Sequence, residues 1–258
     1  MAGNDGHGTT KKAISTSRRT FIRTVGAGAA ATEVATASAE GALGAETTVD
    51  LDSRGLCKGD LIDPYLEEYF TDGTVVRVPP GEYDYTGTGL GGTYENAALV
   101  GAAAGVTFHG PDDPDVESGP SITATEGTVR IENVTVRTAP SQSRWHVGSE
   151  AGATAAIYNV DFPRGGNTGP DSLPNRIEID GTGDTEASAS YELAVTGDLS
   201  LDEGHTAVGS GEALYLGGDI GDGEVSGHVR NGVDAFFYSG RLDRVEIDGD
   251  ADISVFQG

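Results

Sequence analysis

Cysteine, lysine and long apolar runs are what this chain of 258 residues most lacks. Cys57 stands alone, so no internal disulfide closes the fold. No His/Cys pattern of metal-site spacing surrounds it, and it reads as a small buried or half-buried residue. No apolar stretch reaches the roughly 18 residues that a membrane-spanning helix needs. The G-x-S-x-G, P-loop and paired zinc-ligand motifs are missing too. Basic side chains are scarce: 16 Lys and Arg stand against 41 Asp and Glu, a net charge of −25. Phosphate contact needs clustered Lys and Arg, so this balance argues against nucleic acid as a partner.

Carboxylates and glycine are what the chain has in excess, with 40 glycines. Valine, isoleucine and tyrosine recur between them in short alternating runs, which predicts many short strands joined by glycine turns. Beyond residue 45 only 11 basic residues face 38 acidic ones, a net charge of −27, and Lys58 is the one lysine left. Such a charge repels itself and opposes compaction in ordinary buffer. At about 1 M salt the Debye length falls to about 3 Å and the repulsion is screened. The composition therefore predicts a protein adapted to high salt.

Residues 1–45 read as an export segment. Lys11 and Lys12 precede Ser15-Thr16-Ser17-Arg18-Arg19-Thr20-Phe21-Ile22, and a weakly apolar Val25–Ala31 stretch follows. A charged region before a short apolar one is the order of a signal peptide. Paired arginines followed by Phe-Ile resemble the twin-arginine signal, with Arg18 and Arg19 as its pair. That resemblance implies a twin-arginine translocase as export partner and an extracellular or cell-surface location. Glu33 and Glu40 interrupt the apolar region and depart from the usual pattern.

Apolar positions 62, 65, 66, 69 and 70 follow helical spacing, with Asp63 as a plausible cap and Pro64 in the first turn. Thr74–Val78 reads as a strand that Pro79-Pro80-Gly81 ends. Further on, Ile131-Glu132-Asn133-Val134-Thr135-Val136 is matched by Ile157-Tyr158-Asn159-Val160-Asp161-Phe162, 26 residues later, and Val106 precedes Ile131 by 25. A repeat of that length suits one coil of a solenoid. The helix and the D-G-T-V-V-R-V-P-P-G-E-Y run resemble the first coil of right-handed parallel β-helix proteins of the pectate-lyase-like kind. Asn133 opens a glycosylation sequon, Asn-Val-Thr, but Asn159 repeats it without one. An internal asparagine ladder is therefore the favoured reading.

After the turn-rich 167–174 linker the chain alternates again: Arg176–Asp180, Tyr191–Thr196, Ala235–Tyr238, Val245–Asp248 and Ile253–Phe256. This pattern predicts antiparallel strands. Residues 175–258 resemble a small β-module found at the C-terminus of haloarchaeal exported proteins, which implies an accessory, surface- or glycan-binding role. The expected fold class is thus all-β: a short right-handed parallel β-helix over 46–166, then a small antiparallel sandwich-like domain.

Two clusters are candidates for chemistry. Asp112, Asp113 and Asp115 alternate near His109 and could hold Ca²⁺ through oxygen; the competing reading is a solvated acidic loop in a very acidic protein. Around Arg144-Trp145-His146, Trp145 and His146 are candidate ligand contacts, Trp145 by stacking on a sugar; the competing reading is that the chain's only Trp is a packing anchor. Asp161 and Arg164 are candidate catalytic groups by resemblance to β-helix lyases and hydrolases. No carboxylate set repeats from coil to coil. The expected function is non-enzymatic binding of a polysaccharide or cell-surface glycan; the alternative is a lyase or hydrolase acting on acidic polysaccharide.

Overall fold

Runs of three to seven β-favouring residues, broken by glycine and asparagine corners, wind the first half of the chain into coils. A computed structural model describes residues 47–111, 119–137, 144–162, 173–183, 188–206, 220 and 223–257. Arg18, Arg19, Asp112, Asp113, Asp115 and Arg164 lie outside the described residues.

The coils comprise β1 (Thr47–Asp50), a helix α1 (Asp63–Tyr69), β2 (Thr74–Val78), β3 (Gly81–Asp84), β4 (Gly91–Glu95), β5 (Ala98–Gly101), β6 (Val106–His109), β7 (Ser121–Glu126), β8 (Thr128–Glu132), β9 (Thr135–Arg137), β10 (Arg144–Ser149) and β11 (Thr154–Val160). β1 stacks on β2, and from β2 on every third strand stacks in parallel. Sheet A holds β1, β2, β5, β8 and β11. Sheet B holds β3, β6 and β9, and sheet C holds β4, β7 and β10. This is a parallel β-solenoid, as the repeat predicts.

The expected ladder is present. Ile131 pairs with Ile157 in register, and Asn159 Nδ2 donates to Asn133 Oδ1. Both asparagines adopt left-handed backbone angles, φ 60° and 53°, which Asn tolerates better than most side chains. The turn sends Val134 and Val136, and in the next coil Val160 and Phe162, into the core. Gly101 lies one coil below, where any Cβ would strike the Asn133 carbonyl oxygen. The step from Val106 to Ile131 is not a coil, however. Val106 belongs to sheet B, and the residue stacked below Ile131 is Leu99. Coils differ in length because their corners do, so spacing alone mixes sheets. Replacing Asn133 with alanine should cost about 1–3 kcal/mol by stripping Asn159 of its partner, measured as a shift in denaturation midpoint.

Antiparallel strands complete the molecule: β12 (Asn175–Asp180), β13 (Ala189–Val195), β14 (Leu199–Leu201), β15 (Glu224–Val229), β16 (Val233–Tyr238), β17 (Leu242–Gly249) and β18 (Ala251–Gln257). They do not form a detached module. β17 pairs with β11 and β18 with β10, so one hairpin covers the last strand of both sheet A and sheet C. Sheet A then runs on through β13 and β15, and sheet C through β12, β16 and β14. One apolar core reaches from Val49 to Val255. The expected linker over 167–174 lies mostly outside the described residues; the strands on either side of it share sheets but differ in direction. An open solenoid end leaves unpaired strand edges, and the hairpin pairs them.

Two expectations near α1 change. Asp63 is not the helix cap, since Ile62 occupies that position. Its buried carboxylate instead accepts from the Thr86, Thr88 and Gly89 amides and both threonine hydroxyls at 2.9–3.2 Å. Cys57 is exposed rather than buried, because it sits in a surface turn whose amide donates to Asp60 Oδ2.

Candidate functional site

Strand alternation puts every second residue of β13, β15 and β17 on the outer face of sheet A. There Glu192 faces Glu246 on one neighbour and Ser226 on the other. One step along, Ser190 faces Asp248 and His228. These six side chains line an open cavity of about 420 Å³. Two glutamates directly opposite repel, and each has a compensating contact. Arg244 Nη1 lies 2.8 Å from Glu192 Oε2, and Tyr158 Oη donates to Glu246 Oε2 at 2.7 Å. Burial, then the Glu246 hydrogen bond, push the Tyr158 phenol well up, so it stays a donor.

Tyr191 and Gly227 form the cavity floor. A Cβ at Gly227 would collide with the Tyr191 phenol. With glycine there, the phenol crosses it and donates to Asp234 Oδ2 at 2.7 Å. Asp234 is only 4% exposed. Burial raises its carboxyl above the ordinary 3.8, and the Tyr191 hydrogen bond opposes that shift. A raised folded-state value means that Asp234 supports folding fully below pH 3.8 and that the support is lost as pH rises through the folded value. Asp234→Asn keeps the shape without the charge. Its stability relative to wild type should therefore climb with pH through that window and then level off. Denaturation of both proteins from about pH 3 to 7 checks this, and a flat difference would contradict it.

The sequence-derived candidates do not converge on one site. Trp145 and His146 are neighbours on β10 but point to opposite faces. Trp145 is fully buried, edge-on to Phe162 at 5.4 Å. Its ring is a core anchor, and the sugar-stacking role expected for it is corrected: a ring with no exposed face cannot meet a ligand. His146 is half-exposed beside Asp252 at 3.3 Å and Ser254 at 3.5 Å. Asp161 sits on the outer face of sheet B, stacked on Thr135. The same face carries Glu82 and Thr107 in register, with Asp84, His109 and Arg137 in the next column. His109 Nε2 lies 3.4 Å from Glu82 Oε2. Among the described residues no group of three or more His, Cys, Asp or Glu is placed to hold a metal.

One further polar cluster clamps a turn. Asp202 accepts from the Gly204 amide at 3.1 Å and pairs with His205 Nδ1 at 2.6 Å. Arg176 Nη1 lies 2.9 Å from His205 Nε2. Arg has only donors, so Nε2 accepts and the proton sits on Nδ1, toward Asp202.

Sequence reading missed Ser190, Glu192, Ser226, His228, Glu246 and Asp248. Their signal was the polar half of each alternating strand, but nothing local says that β15 and β17 flank β13. The fold and cleft together define a β-solenoid protein with an acidic, hydroxyl-lined outer cleft. The chain matches no protein-family model, no curated protein and no solved structure.

Proposed function

We propose that this is an exported, salt-adapted β-solenoid protein that binds, without cleaving, a neutral or amino-bearing polysaccharide of the cell surface. The observation that carries the reading is the cavity of about 420 Å³ walled by two serines, three carboxylates and an imidazole. Such walls offer many acceptors and short donors to sugar hydroxyls, and hydrogen bonds to a charged group are worth about 1.5–3 kcal/mol. A polyuronide suits the cleft poorly, because Glu192, Glu246 and Asp248 would repel it. Hydrolysis is the weaker reading. Glu192 and Glu246 each already give an oxygen to a protein partner, Arg244 and Tyr158.

The export half of the proposal rests on the Arg18-Arg19 pattern, and salt adaptation on the charge of −25. The likeness to pectate-lyase-like proteins supports the solenoid architecture. The haloarchaeal C-terminal resemblance supports a surface role. Calorimetric titration of the mature chain in molar KCl tests the binding. Cellobiose and the glucosamine dimer should bind and digalacturonate should not. Glu192→Gln with Glu246→Gln should weaken binding at least about tenfold. Preference for the uronate, or unsaturated product released from a polyuronide, would overturn the proposal.

A further inference from the structure

The polar outer face of sheet A does not stop at the cleft. Glu246 on the cleft wall accepts from Tyr158, which belongs to β11 of the solenoid. The Arg130 guanidinium of β8 lies 5.7 Å from the centre of the Tyr158 ring. Arg130 is itself held by Glu132 at 3.2 Å and is 11% exposed. β8, β11, β17, β13 and β15 are consecutive neighbours in one sheet. A continuous path therefore runs across the strands from Arg130, over Tyr158 and Glu246, to Ser226.

We propose that Tyr158, fixed by Arg130, is a second sugar subsite, so that the ligand is a linear glycan of three or more residues lying across the strands of sheet A. The proposal rests on the cleft reading and extends it from a sugar to a chain. Neighbouring strands are about 4.8 Å apart, close to the length of one pyranose along an extended glycan, so successive sugars meet successive strands. Tyrosine offers an apolar ring body with a polar tip, which suits a sugar's C–H face and its hydroxyls together. Arg130 and Glu246 hold the ring at its face and its hydroxyl, so little side-chain freedom is lost on binding. Glu132 offsets the Arg130 charge, so the side of this subsite away from the cleft carries no net charge and fits an uncharged polymer.

The test compares cellohexaose with cellobiose on the mature protein in molar KCl. The hexamer should bind about tenfold more tightly, as a second contact adds affinity without a second loss of overall freedom. Tyr158→Ala should bring that ratio close to one, and Tyr158→Phe, which keeps the ring, should restore it. A general loss of stability would not change a ratio of affinities in this way. Glu67→Gln, on the exposed side of α1, should leave the ratio at its wild-type value. Equal affinity for the two probes, or a ratio that survives Tyr158→Ala, overturns this inference and leaves the cleft in place. Failure of both to bind overturns the cleft reading as well.

Discussion

Replacing Asp63 with alanine is expected to destabilise the protein by about 3–5 kcal/mol, the cost of leaving several buried donors unsatisfied at once. Asp63 is 2% exposed. It gathers three amides and two hydroxyls from Thr86, Thr88 and Gly89. Gly89 packs closely against it, since a Cβ there would come within 2.6 Å of the Asp63 backbone. The loop between β3 and β4 is thereby tied to α1, and loss of the tie frees the first full coil. Asp72→Ala is the comparison. Asp72 accepts one amide, from Glu95, at an exposed position, and its loss should cost about 1 kcal/mol. Similar costs for the two variants, read from denaturant midpoints, would contradict the tether.

Trp145→Ala should have an effect of comparable size, about 3–5 kcal/mol, through the cavity it leaves. The ring fills the core where the coils meet the covering hairpin, opposite Val255 and edge-on to Phe162. Its Nε1 makes no hydrogen bond, so Trp145→Phe forfeits only volume and should cost much less. Because the ring is inside, Trp145→Phe should also leave glycan affinity at the wild-type value. Lost affinity in that variant, with stability retained, would return the residue to the ligand.

The solenoid was legible where the sequence repeats itself with its corners intact. Ile131 through Val136 and Ile157 through Phe162 carry the same apolar positions and the same Asn, and they stack one coil apart. Where corners vary in length, as between Leu99 and Ile131, spacing points to the wrong partner. The antiparallel strands were legible one by one from alternation. Their attachment was not, because covering a strand edge depends on backbone pairing, which any alternating hairpin can supply. The same limit hid the cleft. Glu192 and Glu246 are opposite each other only through the pairing of β13 with β17, a contact between distant segments that neither segment encodes alone. A lone aromatic such as Trp145 reads alike whether it packs inside or waits for a ligand, and only its burial decides for packing.

The most direct test of the account is a map of backbone amide shifts on the mature protein in molar KCl, as cellobiose or the glucosamine dimer is added. The perturbed residues should cluster at Ser190, Glu192, Ser226, His228, Glu246 and Asp248, with the outer face of sheet B around Thr107 and Thr135 unchanged. Perturbation centred on sheet B, or none at saturating sugar, would contradict it.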